Sequence, residues 1–450
     1  MNYLTADEIE ARLDRLASEN PGLCSKIPPV PLFTAPKDPA DAPPGVPGRT
    51  LRILKIGLPA APGKTKTPVL ITGGLHAREW APPDALVSFC ERLVKEGLGP
   101  APQRKPRPLR YPLLVVPDRP MPLPSMPVPA PLVKAIFEEL DLYVVPLCNP
   151  DGRVYSQQQP TGGVDFARWR KNRARTRDTL PCPPDKYGLD QSVGTDLNRN
   201  IDVDFDIDQF YSRDFYDEGW VHTAKDPCGT PIPQPPLTSV MDVDGESYHG
   251  DNPFSEAETQ VLKNLIDNVN PTYMADCHAY GPTILHSWGT LDIQSTAPEK
   301  NFRNPSWDGQ RSNTGYGEYV PPDLAATAEN IAGQMSWCIE LMKRGYPPSP
   351  SSAGAYEVQV SAQLYAGAGI ADYLMSRQYT VPVPPDFRID VVPPARYPFT
   401  IECGSGRENG FWPLRSTQFP KIERELHWGL WGFLKMAAAP HATIPFRAGP

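Results

Sequence analysis

Short apolar runs alternate with helix-length amphipathic segments along nearly the whole of this chain. Leu51–Ile56, Val69–Thr72, Leu142–Leu147, Tyr273–Cys277 and Tyr397–Ile401 have the length and the β-branched or aromatic content of strands. Thr5-Ala6-Asp7-Glu8 has capping-box form and leads into Ile9, Leu13 and Leu16 at helical spacing, with a stop at Asn20-Pro21-Gly22. Pro82–Lys95 suits a helix with proline near its start. Ser255-Glu256-Ala257-Glu258 is a second capping box, before Val261, Leu262, Leu265 and Ile266; Asp323–Lys343 and Lys421–Met436 supply two more helices. Asn149-Pro150-Asp151-Gly152 reads as a turn. This alternation predicts an α/β fold, a single-domain mixed β-sheet flanked by helices on both faces. No internal repeat and no shift of composition marks a second unit, so one domain is expected over 1–440, with a tail over 441–450.

Proline is the compositional oddity, 58 of 450 residues, against a usual ~5%. It concentrates in Pro28–Pro47 and Pro100–Pro131. A residue with fixed φ and no N–H suits neither helix interiors nor central strands. Both stretches are therefore expected to be loop insertions, and a docking segment for a proline-reading partner is the functional alternative.

The net charge of −8 does not favour nucleic acid or an acidic membrane surface as partner. No apolar run approaches the ~18 residues of a membrane span. MNYLTADEIEARLDRL lacks the basic-then-apolar layout of a secretory leader. The expectation is a cytoplasmic chain, with a secreted protein whose leader has been removed as the alternative. Cysteines 24, 90, 148, 182, 228, 277, 338 and 403 form no CxxC pair, which argues against a thiolate metal site. Most are expected to be buried thiols, and Cys182 with Cys228 is the pair best placed for a disulfide.

Charge appears where the strands end. Gly73–Trp80 reads GGLHAREW, directly after Val69–Thr72. In open α/β sheets ligands gather beyond the carboxyl ends of the strands. His76 and Glu79, spaced i, i+3, can face one point, and an imidazole with a carboxylate suits zinc, which needs a third ligand and an open position. His278, next to Tyr273–Cys277, is the best third ligand. Taken alone, His76 and Glu79 are more often a surface pair. Thr400-Ile401-Glu402-Cys403 puts an acid at the end of another apolar run, where burial without a partner or purpose is costly. Trp169–Arg173 (WRKNR) and Asp196–Asn200 (DLNRN) place arginines beside amides, a combination that suits a planar carboxylate.

HAREW, NPDG, WRKNR, DLNRN, a strand-ending histidine and a strand-ending glutamate, in that order, resemble the zinc metallocarboxypeptidases of the carboxypeptidase A type. The resemblance runs from about Tyr3 to about Lys435. It implies one zinc ion held by His76, Glu79 and His278, a ligand set that general accounts of zinc sites already give for carboxypeptidase A. It implies Glu402 as general base and Arg170 as the group that polarises the scissile carbonyl. It implies Asn198 and Arg199 as binders of a substrate's terminal carboxylate, Tyr365 as a mobile tyrosine closing over substrate, and Asp196 as the acid that orients His76. The implied partners are peptide or protein C-termini. The oligomeric state stays open, a monomer included, and no pro-segment precedes the resemblance within the chain. Ala279 stands where a serine commonly follows the third ligand, and the span from Glu79 to His278 is longer than usual.

Substrate preference depends on alignment. Tyr365–Tyr373 is one residue short of the family pattern. With the gap before Gly369, Ala371 takes the pocket floor, Asp372 is structural, and Leu285, Gly289 and Thr400 complete a pocket for apolar or aromatic C-terminal residues, the preferred reading. Without it, Asp372 reaches the pocket and selects basic residues. Cell-wall peptides as substrates, and an inactive peptide-binding relative, are the remaining alternatives.

Overall fold

Val69, Leu70, Ile71 and Thr72 are all buried, and a strand buried on both faces requires a covering layer on each side. The computed structural model supplies both. It describes residues 3–27, 49–98, 128–174, 185, 187–191, 193–205, 246–311, 314–344, 356–364 and 367–438. Pro28–Pro47, nearly all of Pro100–Pro131, Cys182, Cys228 and Tyr365 lie outside these residues.

In chain order the elements are α1 (Ala6–Glu19), β1 (Cys24–Lys26), β2 (Leu54–Ile56), β3 (Thr67–Gly73), α2 (Ala81–Gly97), α3 (Ala130–Glu139), β4 (Leu140–Val145) and α4 (Pro150–Ser156). Then come α5 (Ala257–Val269), β5 (Tyr273–His278), β6 (Thr283–His286), the short pair β7 (Gln294–Ser295) and β8 (Glu318–Tyr319), α6 (Pro322–Arg344), β9 (Glu357–Val360), α7 (Ile370–Ser376), β10 (Tyr397–Glu402) and α8 (Phe419–Ala438).

Eight strands form one mixed sheet in the order β1-β2-β4-β3-β5-β10-β6-β9. The inner strands β4, β3, β5 and β10 run parallel, and the flanking pairings β2/β4 and β10/β6 are antiparallel. The chain leaves β3 for β4 on one side and reaches β5 on the other. The β3/β5 crevice is therefore a topological switch point, the place where such sheets bind ligands.

Side chains alternate across this sheet. Val69 and Ile71 of β3, Ala275 and Cys277 of β5, and Phe399 and Ile401 of β10 join the core beneath α2, α3, α6 and α8. Leu70 and Met274 join the opposite core with α5 and α7. Period-two alternation then puts Thr72, Asp276, His278 and Glu402 on this second face, near the carboxyl edge. Among the described residues no helix is long and apolar enough to cross a membrane. Cys24, Cys90, Cys148, Cys277, Cys338 and Cys403 are buried free thiols, as expected.

Several expectations need correction. Asn149-Pro150-Asp151-Gly152 does not form a free turn. The Asn149 side chain caps α4, its Oδ1 accepting from Gly152 N at 2.9 Å, and Pro150 fills the first helical position, which needs no donor. The second capping box is not made: Glu256 is the N-cap of α5 and has no side-chain cap, while Ser255 Oγ donates to Glu256 Oε1 at 2.8 Å. The strand foreseen over Leu51–Ile56 shrinks to Leu54–Ile56, where pairing with β4 begins. The end of Pro100–Pro131 is helical, because Pro131 falls in the first turn of α3, where proline fits.

Candidate metal centre and active site

The site begins with Gly74. Its φ of +69° turns the chain off β3, and a Cβ there would stand 2.8 Å from Pro83 Cγ, so glycine is required on two counts. The next few residues make a tight turn with Glu79 N bonded to His76 O at 3.2 Å, and Ala77 N bonds Arg170 O at 2.9 Å. His76 and Glu79 thus point together, and WRKNR is laced to the turn that carries them. His278 enters from the last position of β5.

His76, Glu79 and His278 are 2%, 3% and 0% exposed. The Nδ1 atoms of the two histidines lie 3.1 Å apart. Glu79 Oε1 is 2.6 Å from His76 Nδ1, and Glu79 Oε2 is 3.1 Å from His278 Nδ1. Each ring turns its other nitrogen to an aspartate: His278 Nε2 to Asp276 Oδ2 at 2.7 Å, His76 Nε2 to Asp196 Oδ1 at 3.3 Å. A carboxylate oxygen accepts, so His278 Nε2 carries the hydrogen of its bond to Asp276, while His76 Nε2 faces Asp196 at ion-pair distance without a formed hydrogen bond; in the neutral His278 ring, and in a His76 ring of the same tautomer, the Nδ1 lone pairs then face inward. Two lone pairs and a carboxylate at this separation repel unless a cation or proton lies among them.

The charge balance agrees. Burial disfavours a charged His278 ring, but Asp276 and Glu79 hold its pKa well above the ordinary value. Burial likewise opposes ionisation of Glu79, yet both histidines hold its pKa below the usual range. The cluster calls for positive charge at its centre. Tetrahedral zinc with ligands at 2.0–2.2 Å would space them ~3.4 Å apart, near the 3.1 Å seen here between the two nitrogens. The residues therefore fit a zinc ion. Among the described residues this is the only group of three His, Cys, Asp or Glu close enough to hold a metal.

The remaining expected residues surround the cluster. Glu402 pairs in register with His278 across β10 and β5 and is 8% exposed. Burial pushes its carboxyl up to about 7; His278 and Arg170 oppose this and Glu79 adds to it. Asp196 is fully buried between His76 and Arg170, whose Nε donates to Asp196 Oδ2 at 2.8 Å. Burial opposes its charge, but Arg170 and His76 hold its pKa well below the carboxylate range. Asn198 Oδ1 accepts from Ile370 N at 2.9 Å at the start of α7, which fixes the amide, and its Nδ2 lies 3.4 Å from His278 Nε2. Arg199 donates from Nη1 to Asn198 O at 2.7 Å.

Asp372 is buried, with Oδ1 accepting from Gly289 N at 3.0 Å and Oδ2 from Gly369 N at 2.9 Å. Ala371 sits beside it on α7, 8% exposed.

Two neighbours escaped the sequence reading. Asp276 reads as one acid inside a strand, although an acid two residues before a candidate ligand shares its face and could have been noticed. Thr72 reads as an ordinary β-branched strand residue. Its Oγ1 donates to Asp276 Oδ1 at 2.6 Å.

The profile of the zinc carboxypeptidase family matches residues 45–105 and 128–427. Among curated proteins, carboxypeptidase A2 of Mus musculus is 23% identical over 289 residues, 64% of this chain and 47% of that protein. Carboxypeptidase B of Bos taurus is 26% identical over 290 residues, again 64% and 47%. The matched segment thus spans about half the length of these relatives. The solved structure of bovine thrombin-activatable fibrinolysis inhibitor in complex with tick carboxypeptidase inhibitor superposes with a TM-score of 0.58 at 18% identity, over 98% of this chain and 98% of that one. This last likeness is one of fold.

Proposed function

The chain belongs to the zinc carboxypeptidase family, and from that premise we propose that it is a zinc-dependent carboxypeptidase that removes single residues from the C-termini of peptides or proteins. The observation that carries the reading is the convergence of His76 Nδ1, His278 Nδ1 and the Glu79 carboxylate on one buried point, with Glu402 in register beside it.

His76, Glu79 and His278 would hold the ion. When bound, zinc supplies a Lewis acid for the scissile carbonyl and acidifies water toward neutrality. Glu402 takes the proton of the attacking water and hands it to the departing amine, a role that suits a carboxyl poised near 7. Arg170 offsets the negative charge that develops on the carbonyl oxygen. Asp196, 3.3 Å from His76 Nε2, is placed to orient that ring with Nδ1 toward the metal. Asn198 and Arg199 receive the substrate's terminal carboxylate, which makes the enzyme an exopeptidase. The family resemblance gives Tyr365, which lies outside the described residues, the role of closing over the substrate.

The pocket is read as apolar. Each oxygen of Asp372 accepts from a backbone N–H group, which supports a structural role for Asp372 and leaves Ala371 as the residue assigned to the pocket floor. Phenylalanine or leucine is then preferred over lysine or arginine at the substrate terminus. The relatives include both carboxypeptidase A and carboxypeptidase B proteins and do not choose between these.

The test compares N-blocked dipeptides ending in a free carboxylate with the same dipeptides as C-terminal amides. Cleavage of the acids alone supports the proposal. Equal cleavage of the amides removes the role given to Asn198 and Arg199.

A further inference from the structure

The three-residue cluster leaves one buried acid without a role. Asp276 lies within β5, fully buried, two residues before His278. A carboxylate in that position needs partners for both oxygens. Register supplies one: Thr72 of β3 stands opposite Asp276, and its hydroxyl donates to Oδ1 at 2.6 Å. Period-two alternation supplies the other, since Asp276 and His278 share a face, and Oδ2 meets His278 Nε2 at 2.7 Å.

We propose that Asp276, anchored by Thr72, is the positioning residue for His278, matching from the β5 side what Asp196 does for His76. The inference rests on the reading of His278 as a zinc ligand and adds a second acid to it. The carboxylate has no hydrogen to give, so it meets Nε2 only when that nitrogen carries one. In the neutral ring that a metal requires, this selects the tautomer with the Nδ1 lone pair free, 3.1 Å from His76 Nδ1. The hydrogen bond also fixes the ring's rotation and raises the donor strength of Nδ1. Thr72 holds the acid in turn. Loss of its hydroxyl removes the hydrogen bond to Oδ1 that keeps the carboxylate from swinging off His278. The device is rigid because all three side chains stand on adjacent paired strands of the sheet centre, not on loops.

The experiment measures zinc affinity of the full chain by competition with a chelator of known strength, for wild type, Asp276→Asn, Thr72→Val and His278→Ala. An asparagine can turn its amide toward Nε2 and drive the hydrogen onto Nδ1, where it blocks the metal. Asp276→Asn is expected to bind zinc roughly 10- to 100-fold more weakly, and Thr72→Val to lose affinity in the same direction by a smaller factor. The visible absorption of the cobalt-substituted protein should shift in Asp276→Asn, a signature that a change confined to packing does not produce. Folded Asp276→Asn with wild-type zinc affinity and an unshifted cobalt spectrum overturns the inference. Should that variant not fold, Thr72→Val decides: weakened binding supports the relay and unchanged binding overturns it. His278→Ala separates the two layers. If it keeps wild-type affinity, the ligand assignment itself fails; if it loses zinc while Asp276→Asn does not, only the role of Asp276 fails.

Discussion

The Nδ1 atoms of His76 and His278 face each other across 3.1 Å, and each ring's Nε2 is turned to a different aspartate. Such an arrangement is stable only around positive charge. Zinc should therefore stabilise the fold by binding the native state alone, by about 4 kcal/mol at a thousandfold excess over Kd. Thermal unfolding of metal-free and zinc-loaded protein checks this. A midpoint that ignores zinc contradicts it.

Glu402 gives a pH-dependent prediction for the metal-free protein. Burial raises its pKa from 4.5 to about 7, so the native state holds its proton more tightly than the unfolded chain. That contribution is complete below pH 4.5 and is lost as pH rises through 7. Glu402→Gln should unfold at nearly the wild-type temperature at pH 4 and at a higher temperature at pH 8. In zinc-loaded protein the same variant should keep its metal and lose roughly 100- to 10,000-fold in turnover. Near-normal turnover removes Glu402 as the base.

Asp372 separates the two pocket readings. If its carboxylate braces Gly289 and Gly369, Asp372→Asn lowers stability by roughly 1–3 kcal/mol and leaves the ratio of Phe to Arg release unchanged. If the acid reaches the substrate, the variant keeps its stability and loses cleavage of peptides ending in lysine or arginine. Denaturant unfolding and paired kinetics on one preparation distinguish these.

Arg153 and Asp84 form a buried pair, 1% and 0% exposed in their side chains, at 2.9 Å. Arg153 Nη2 also donates to Leu4 O at 2.7 Å, and Leu4 N donates to Asp84 Oδ2 at 3.0 Å. The pair therefore fastens the segment before α1 to α2 and α4. Arg153→Met leaves buried Asp84 with only Arg415, 3.5 Å away, as counter-charge and should cost up to about 3–5 kcal/mol, read by chemical denaturation.

The strands and long helices were legible because their periods differ and the core reads that difference directly. Val69 and Ile71 belong to one core and Leu70 to the other, so β3 had to be a central strand. His76, Glu79, His278 and Glu402 were legible as charge at the ends of such strands. Asp276 offered only its i, i+2 spacing to His278; its anchor Thr72 is 204 residues away in sequence, and only strand register brings those two together. The role of Asn149 was misread for a local reason. The residues that make a turn also cap a helix, and the next stretch of chain, here Arg153 to Ser156, decides between them. Ser255 shows the converse: its hydroxyl is drawn to Glu256 Oε1 and accepts from Asn200 Nδ2 at 2.9 Å, which leaves the start of α5 uncapped.

Zinc titration into metal-free protein, with phenylalanine release from an N-blocked dipeptide followed at each addition, decides whether the His76, Glu79 and His278 cluster is a catalytic zinc site. Release should rise in proportion to bound zinc and level off at one ion per chain. Release that is already complete without zinc, or absent with the ion bound at His76, Glu79 and His278, contradicts it.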